Sequence, residues 1–476
     1  MTTRVIDQTM ELADQLREQA VEAEKIGKLT DATVKSMKSA GHIRLLQPKQ
    51  YGGLEVHPRE FAETVMALAA LDPSAGWING VVGVHPYQLA YADPRVAAEI
   101  WADDVDTWVA SPYAPQGVAR PVEGGYIFNG RWQFSSGTDQ CEWIILGAML
   151  GDSDGKPLMP PQMLHMILPR KDYEIVEDSW NVVGLRGTGS KDVIVRDAFI
   201  PDYRTMDATE VMDGTAQREA GMTETLYLMP WSTMFPLGIS SATIGIAEGA
   251  LAAHLDYQRE RVSAAGTAIK DDPYVMYAIG EAAADINAAR QEILANADRI
   301  YDMVDAGKEV SFADRAAWLA SRVKERSYAD EVLNKIDALR GRFDVAEYGQ
   351  IDYGGERYPL LALKSRDWRD DLPVALVTGG VHGYETSGVQ GALAFMDEQA
   401  ERYAGTVNLL VAPCISPWAY EHIQRWNADA IDPNRSFKAN SPAEESAALM
   451  RLLAPLQGRV LLHIDLHETT DSDETE

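Results

Sequence analysis

The chain is poor in cysteine, with two, Cys141 and Cys414, among 476 residues. So few thiols exclude a disulfide framework and a thiolate metal cluster, and they fit a reducing, cytoplasmic setting. Positive charge is also short. Lys and Arg number 43 against 72 Asp and Glu, a net charge of −29. Phosphates are bound by a surplus of Lys and Arg, so neither nucleic acid nor an anionic membrane is an expected partner. No uninterrupted apolar run reaches the roughly 18 residues expected of a membrane-spanning helix. The opening stretch, Met1-Thr-Thr-Arg-Val-Ile-Asp7, lacks the apolar core of a secretion signal. Internal repeats, low-complexity tracts and Gly/Ser linkers are not visible.

What is present is ordinary globular protein, 46% hydrophobic and 24% charged. The length allows about two to four domains. Residues 1–104 read as a helical domain, with Met10, Ala13, Leu16 and Ala20 recurring at helical spacing. Residues 105–225 read as an antiparallel β domain. Short runs of β-formers at 107–111, 126–134, 143–150, 163–168 and 193–200 alternate there with turn residues. Residues 226–323 return to helical periodicity, with Ala-rich stretches suited to a helix bundle. Residues 324–476 change character again. A helix over 328–339 is followed by buried strands at 374–378, 407–411 and 460–464 with helices between, which predicts a parallel or mixed α/β sheet.

Four motifs carry chemistry in the first 323 residues: Ser74-Ala-Gly-Trp77, Gly83-Val-His85-Pro86, Trp132-Gln-Phe-Ser-Ser-Gly137 and Gly184-Leu-Arg-Gly-Thr-Gly-Ser190. Their order, on a helix–β–helix frame, resembles the two-component flavin-dependent monooxygenases of the acyl-CoA dehydrogenase fold, and most of all the type that hydroxylates a phenolic secosteroid. The resemblance implies reduced flavin, FMN or FAD, delivered by a separate reductase, and an aromatic small-molecule substrate. It also implies a homo-oligomer. Reduced flavin must meet oxygen away from water. Phe134, Ser135, Ser136 and Gly137 offer a hydroxyl, N–H groups and close approach at glycine to the ring edge. Trp132 and Trp180 could cover the ring. Arg186, Gly187, Thr188 and Ser190 could hold a flavin phosphate by charge or converging N–H groups. Arg261 matches the family's phosphate-binding arginine. His85 is the candidate acid or base, because a phenol attacks better as phenolate.

The last part holds a second constellation. Gly379-Gly-Val-His-Gly-Tyr-Glu385 places His382 and Glu385 as His-x-x-Glu after an apolar run. Leu462-His-Ile-Asp-Leu-His467 ends another run, and Asp432-Pro-Asn-Arg435 lies between. This resembles the N-terminal half of a zinc carboxypeptidase or succinylglutamate desuccinylase-like domain. The resemblance implies zinc on His382, Glu385 and His467. It also implies a peptide or acyl-amino-acid substrate whose carboxylate meets Asn434 and Arg435. Two imidazoles and one carboxylate leave a fourth position open for water, as catalytic zinc requires. His463 shares the strand face of His467 and competes as a ligand; Asp465 could orient a ligand histidine.

The expected fold is therefore multidomain: an acyl-CoA dehydrogenase-like α+β region followed by a truncated α/β zinc carboxypeptidase-like domain. By comparison with the two families, the bundle is expected to lack its last helices, and the α/β part to stop before the family's general-base Glu, a role Glu468 does not match. Both activities are then expected to be impaired. The alternatives are a zinc hydrolase with an N-terminal helper region, a non-catalytic fusion of two enzyme fragments, and an acyl-CoA dehydrogenase. A dehydrogenase would need a catalytic carboxylate, and residues 231–241 carry none.

Overall fold

A computed structural model of the chain describes residues 4–262, 268, 270, 273–311, 314–315, 327–353 and 355–467. The chain divides into two compact units, Met1–Arg322 and Val323–Glu476. Glu468, the acidic end that follows it, the junction at residue 324 and most of the stretch 311–323 lie outside the described residues.

The first unit opens with helices α1 (Val5–Glu11), α2 (Ala13–Ile26), α3 (Asp31–Ala40), α4 (Pro58–Leu71), α5 (Pro73–Val82), α6 (His85–Leu89) and α7 (Pro94–Trp101). Proline at the first position and an N-capping side chain start α4, α5 and α7; for α5 the Asp72 carboxylate accepts from the Ala75 N–H. A sheet follows, of β1 (Val109–Ala110), β2 (Gly117–Val122), β3 (Gly125–Ser135), β4 (Trp143–Leu150), β5 (Met163–Pro169), β6 (Glu174–Val176), β7 (Lys191–Pro201) and β8 (Thr205–Asp207). Its order is β6-β7-β3-β2-β4-β5-β8, with β1 beside β4. The sheet is mixed and so departs from the antiparallel expectation: β2 and β1 both run parallel to β4. The reason is local. A tight turn at Glu123-Gly124, with Gly124 at φ 76°, folds β3 back on β2, and β7 takes the other edge of β3. The next strand must then cross over to the free edge of β2.

Short helices α8 (Ala208–Asp213), α9 (Thr215–Glu219) and α10 (Thr225–Leu228) lead to the long α11 (Trp231–Glu260) and α12 (Pro273–Asp305). By length and composition α11 is apolar enough to cross a membrane, contrary to the expectation from sequence. It packs instead on α4 and α5, and glycines set the approach. A Cβ at Gly238 would lie 2.0 Å from the Gly80 carbonyl oxygen, and one at Gly245 would lie 2.3 Å from that of Met66.

In the second unit a turn of π-helix (Ala329–Leu333) runs into α13 (Asn334–Leu339). The sheet comprises β9 (Phe343–Tyr353), β10 (Glu356–Ser365), β11 (Val374–Gly379), β12 (Asn408–Ala412) and β13 (Val460–Leu466), in the order β13-β11-β12-β10-β9. Helices α14 (Thr386–Glu398), α15 (Pro417–His422) and α16 (Glu444–Leu453) accompany it. Strands β12, β11 and β13 are parallel, whereas β9 and β10 form an antiparallel hairpin that the sequence reading did not identify. Gly379 pairs with Leu466, so β11 and β13 end together at one edge of the sheet.

Candidate functional site

In the first unit, β3 ends in a sharp turn with Phe134 at φ 60° and Gly137 at φ 71°. The turn meets the 184–190 loop, where the Gly137 N–H donates to the Thr188 carbonyl at 2.9 Å. Their hydroxyls join. Thr188 Oγ1–H donates to the Leu185 carbonyl at 2.8 Å; Thr188 and Ser190 hydroxyls lie 2.6 Å apart, and those of Ser190 and Ser136 lie 2.8 Å apart. Trp77 Nε1–H on α5 donates to Ser136 Oγ at 3.2 Å. Ser135 faces the other way and bonds Thr138. Phe134 is exposed and meets Trp180 edge-on at 6.0 Å.

Two expectations need correction here. Trp132 is fully buried, its ring against Phe128 and its Nε1–H donating to the carbonyls of Ala114 and Gly147. It is a core residue with no face left to cover a ring. The backbone N–H groups of Arg186 and Gly187, expected to hold a phosphate, both donate to the Glu24 carboxylate at 3.2 Å. Ser74 Oγ–H donates to the same carboxylate at 3.1 Å. Glu24 thus occupies the anion position of this loop. The Arg186 side chain differs, since its Nε is buried without a hydrogen-bond partner. Arg261 stands exposed at the end of α11, with its guanidinium 5.7 Å from the Tyr257 ring centre.

His85 is fully buried between β1 and the segment after it. Nδ1–H donates to the Val109 carbonyl, so Nε2 must accept, and it does so from Ser111 Oγ–H at 2.7 Å. Burial lowers the His85 pKa to about 4, which keeps the ring neutral.

A cluster not anticipated from sequence lies beside it. The buried Gln88 carbonyl accepts from Tyr113 Oη–H at 2.7 Å and Trp231 Nε1–H at 3.1 Å. Its amide bonds His165 Nδ1 at 2.9 Å. Trp231 stacks on Phe235 at 4.9 Å, and Tyr113 meets Phe235 edge-on at 5.1 Å. Half-buried Tyr113, Trp231 and Phe235 form an aromatic wall, the lining expected of a pocket for a flat molecule. One glutamine in a helix gives no sequence signal for this role; only the folded chain brings the strands and α11 to it.

The second unit gathers its site where β11 and β13 end. Ligand atoms of His382, Glu385 and His467 all lie within 4.8 Å of one another. His382 and Glu385 are fully buried. His382 Nδ1 lies 2.8 Å from Glu385 Oε1, and His467 Nδ1 lies 2.8 Å from Glu385 Oε2. The second approach lacks hydrogen-bond geometry, so Glu385 Oε2 and His467 Nδ1 are both buried without a hydrogen-bond partner. Asp432 takes the far side of His382 at Nε2, 3.0 Å away. Asp432 in turn accepts from Arg425 Nε at 3.1 Å, and Arg425 donates to Tyr384 Oη at 3.1 Å. Burial acts to raise the Asp432 pKa, but His382 and Arg425 outweigh it and hold this carboxyl below its usual range. His463 turns to Thr378, 2.8 Å away, as does Asp465. The turn containing Asn434 and Arg435 follows Asp432, with the Asn434 N–H donating to Asp432 at 2.9 Å and Arg435 exposed. Asp432 and Tyr384 lie within the two sequence motifs; Arg425 lies outside both and carried no signal.

Residues 237–342 match the family described as Acyl-CoA dehydrogenase, C-terminal domain. A pigment production hydroxylase of Rhodococcus erythropolis is 57% identical over 370 residues, covering 78% of this chain and 91% of that protein. The oxygenase subunit HsaA of a Mycobacterium tuberculosis flavin-dependent monooxygenase is 41% identical over 307 residues, covering 64% of this chain and 77% of its own. The crystal structure of the HsaA monooxygenase from that organism superposes with a TM-score of 0.62 at 39% identity, over 67% of this chain and 81% of that one. At these identities and coverages the chain belongs to the flavin-dependent monooxygenases built on the acyl-CoA dehydrogenase fold.

Proposed function

We propose that the chain is the oxygenase component of a two-component system that hydroxylates a phenolic substrate, with reduced flavin supplied by a separate reductase. The observation that carries this is the pairing of the Ser136 turn with the 184–190 loop in a chain 57% identical to a known hydroxylase. The donor set fits a flavin. Arg186 keeps a buried, unpartnered Nε, suited to a phosphate or a ring carbonyl. Ser136, Phe134 and Trp180 offer a hydroxyl and aromatic faces at the loop edge. Bound reduced flavin would supply the electrons that activate oxygen. The protein's part is to orient and to exclude water. Tyr113, Trp231 and Phe235 would pack a flat substrate, while Gln88 fixes two of those rings through its carbonyl. Ser111, held by neutral His85, offers an oxygen that can accept a hydrogen bond from a phenolic hydroxyl and so orient it. His85 is then a positioning residue. The test is anaerobic titration with reduced FMN and FAD, followed by oxygen and a simple phenol. Flavin binding and a hydroxylated product are expected. Absence of reduced-flavin affinity would sink the reading.

A second reading concerns the other unit. We infer that His382, Glu385 and His467 hold zinc. Two unpartnered buried ligand atoms, Glu385 Oε2 and His467 Nδ1, favour it, because such atoms are costly unless something bridges them. Asp432 would fix His382 so that Nδ1 faces the centre, as carboxylates do for zinc-bound histidines. Zinc there would supply an activated water, and Asn434 and Arg435, in the turn after Asp432, would meet a substrate carboxylate. Elemental analysis of the full chain should find one zinc per chain, lost in His382→Ala and Glu385→Gln. Substoichiometric zinc, unchanged by His382→Ala, would overturn it.

A further inference from the structure

We infer that Gln88 sets the tautomer of His165 and makes that ring the hydrogen-bond donor of the aromatic wall, so that the pocket selects a phenol carrying a second polar group, a carbonyl-type acceptor. This rests on the reading above, which places the substrate against Tyr113, Trp231 and Phe235. The proton order follows from groups that have one role each. Trp231 Nε1–H can only donate, so the Gln88 atom 3.1 Å from it is the carbonyl oxygen, which also accepts from Tyr113 Oη–H at 2.7 Å. The amide nitrogen then takes the other side, and it too can only donate. It reaches His165 Nδ1 at 2.9 Å and the Met206 sulfur at 3.7 Å. Turning the amide over would set its N–H against that of Trp231. Facing a donor, Nδ1 must accept with its lone pair. Burial lowers the His165 pKa to about 4, so the ring is neutral and its one proton sits on Nε2.

That N–H is the donor left over when Gln88, Tyr113 and Trp231 have paired. It has no hydrogen-bond partner among the described residues, and Nε2 is not among the unpartnered atoms sealed away from solvent. Asp207, the acid that acts on this ring, spends its carboxylate on the first N–H groups of α8. The imidazole lies 4.8 Å from the Tyr113 ring and 6.3 Å from the Trp231 ring, so it belongs to the wall. A flat apolar wall with one oriented donor discriminates by polarity. A substrate with an acceptor in reach completes the hydrogen bond, whereas a methylene in the same place leaves the N–H desolvated and unpaired. One hydrogen bond of this kind corresponds to about a tenfold preference. His165 touches the substrate, and Gln88 acts through it as a positioning residue.

The experiment loads the full chain with reduced flavin, anaerobically, and measures dissociation constants for para-butylphenol and for its two chain ketones whose carbonyl is not conjugated with the ring. Phenol acidity is then matched across the set. The proteins are wild type, His165→Leu, His165→Gln and Gln88→Leu. Wild type should bind the better ketone about tenfold tighter than the alkyl phenol. His165→Leu should remove that ratio. His165→Gln should keep most of it, because its amide accepts from Gln88 and donates onward. Gln88→Leu leaves His165 free to take either tautomer and should narrow the ratio. General loosening of the pocket would weaken ketone and alkyl phenol together and leave the ratio alone. NMR of the chain with nitrogen-labelled histidine reads the tautomer directly. The His165 signals, assigned by their loss in His165→Gln, should show a protonated Nε2 and a bare Nδ1. A bare Nε2, equal affinities or no phenol binding in the loaded wild type, or a ratio that His165→Leu leaves unchanged overturns the inference while the flavin site stands. A wild-type chain with no affinity for reduced flavin overturns both.

Discussion

Gly238→Val is expected to lower the melting temperature of the first unit by roughly 5 °C. The argument is geometric. Helices α5 and α11 cross with Gly80 and Gly238 in contact. A Cβ on Gly238 would lie 2.0 Å from the Gly80 carbonyl oxygen, and a Cβ on Gly80 would lie 2.5 Å from that of Gly238. Both obstructing atoms are backbone, so no side chain can rotate away and the helices must part. Separation opens the packing of Leu237 and Ala242 in the core, and overpacking of this kind costs about 1–3 kcal/mol or more. The effect also reaches the site. Helix α5 carries Trp77, which donates to Ser136, and α11 carries Trp231, which donates to Gln88. Flavin affinity should therefore fall with stability. Gly280→Ala on α12 is the control: a Cβ there meets nothing within 4 Å, and the helix should gain slightly. Thermal melts by circular dichroism decide it. A Gly238→Val melt within a degree or two of wild type would contradict the crossing.

That crossing shows where sequence reading stops. Helical periodicity places α11, but nothing in Pro236-Leu-Gly238 says which face meets Gly80. The hydroxyl loops were legible because their residue types have few other uses in that order. His382, Glu385 and His467 were legible because each follows an apolar run, and parallel strands bring such ends to one edge. The tryptophans were not. Trp132 and Trp77 both sit in motifs, yet one donates to core carbonyls and the other to a loop hydroxyl. Only tertiary packing separates those outcomes. Glu24 was illegible for a similar reason: it reads as one more acid on an amphipathic helix, and it becomes the anchor of a loop distant in sequence. The β9–β10 hairpin carries a local signal. Tyr353-Gly-Gly-Glu356 is a turn sequence, but the charged residues alternating around it obscured the strands on either side.

Acidification should unfold the first unit between pH 6.5 and 4, because three of its histidines are buried in the neutral form. His42, His85 and His165 each have a pKa lowered to about 4, in every case by burial first. Their bonding suits neutrality. His42 lies 2.9 Å from Thr9 Oγ1 and 3.3 Å from the Met37 carbonyl, and His165 bonds the Gln88 amide. In the unfolded chain these rings take up protons near pH 6.5. Between 6.5 and 4 the unfolded state therefore binds more protons than the folded one, and stability falls as pH falls. Each ring accounts for a loss on the order of 3 kcal/mol once the pH is below 4, so the three together rival the net stability of a typical domain. Asp72 works in the opposite direction. Its pKa is raised to about 6 by burial, so its folded form keeps a proton that the unfolded chain has lost, and this offsets about one histidine. The measurable outcome is a melting temperature that drops steeply on titration from pH 7 to 4.5. His165→Gln should make the drop shallower, since an amide keeps a partner for Gln88 and cannot be protonated. A melting temperature flat across that range would show that the three rings are not buried as described. The same titration separates stability from chemistry. His85 holds Ser111 only while neutral, so loss of activity should track loss of fold and show no earlier step near the pKa of a free histidine.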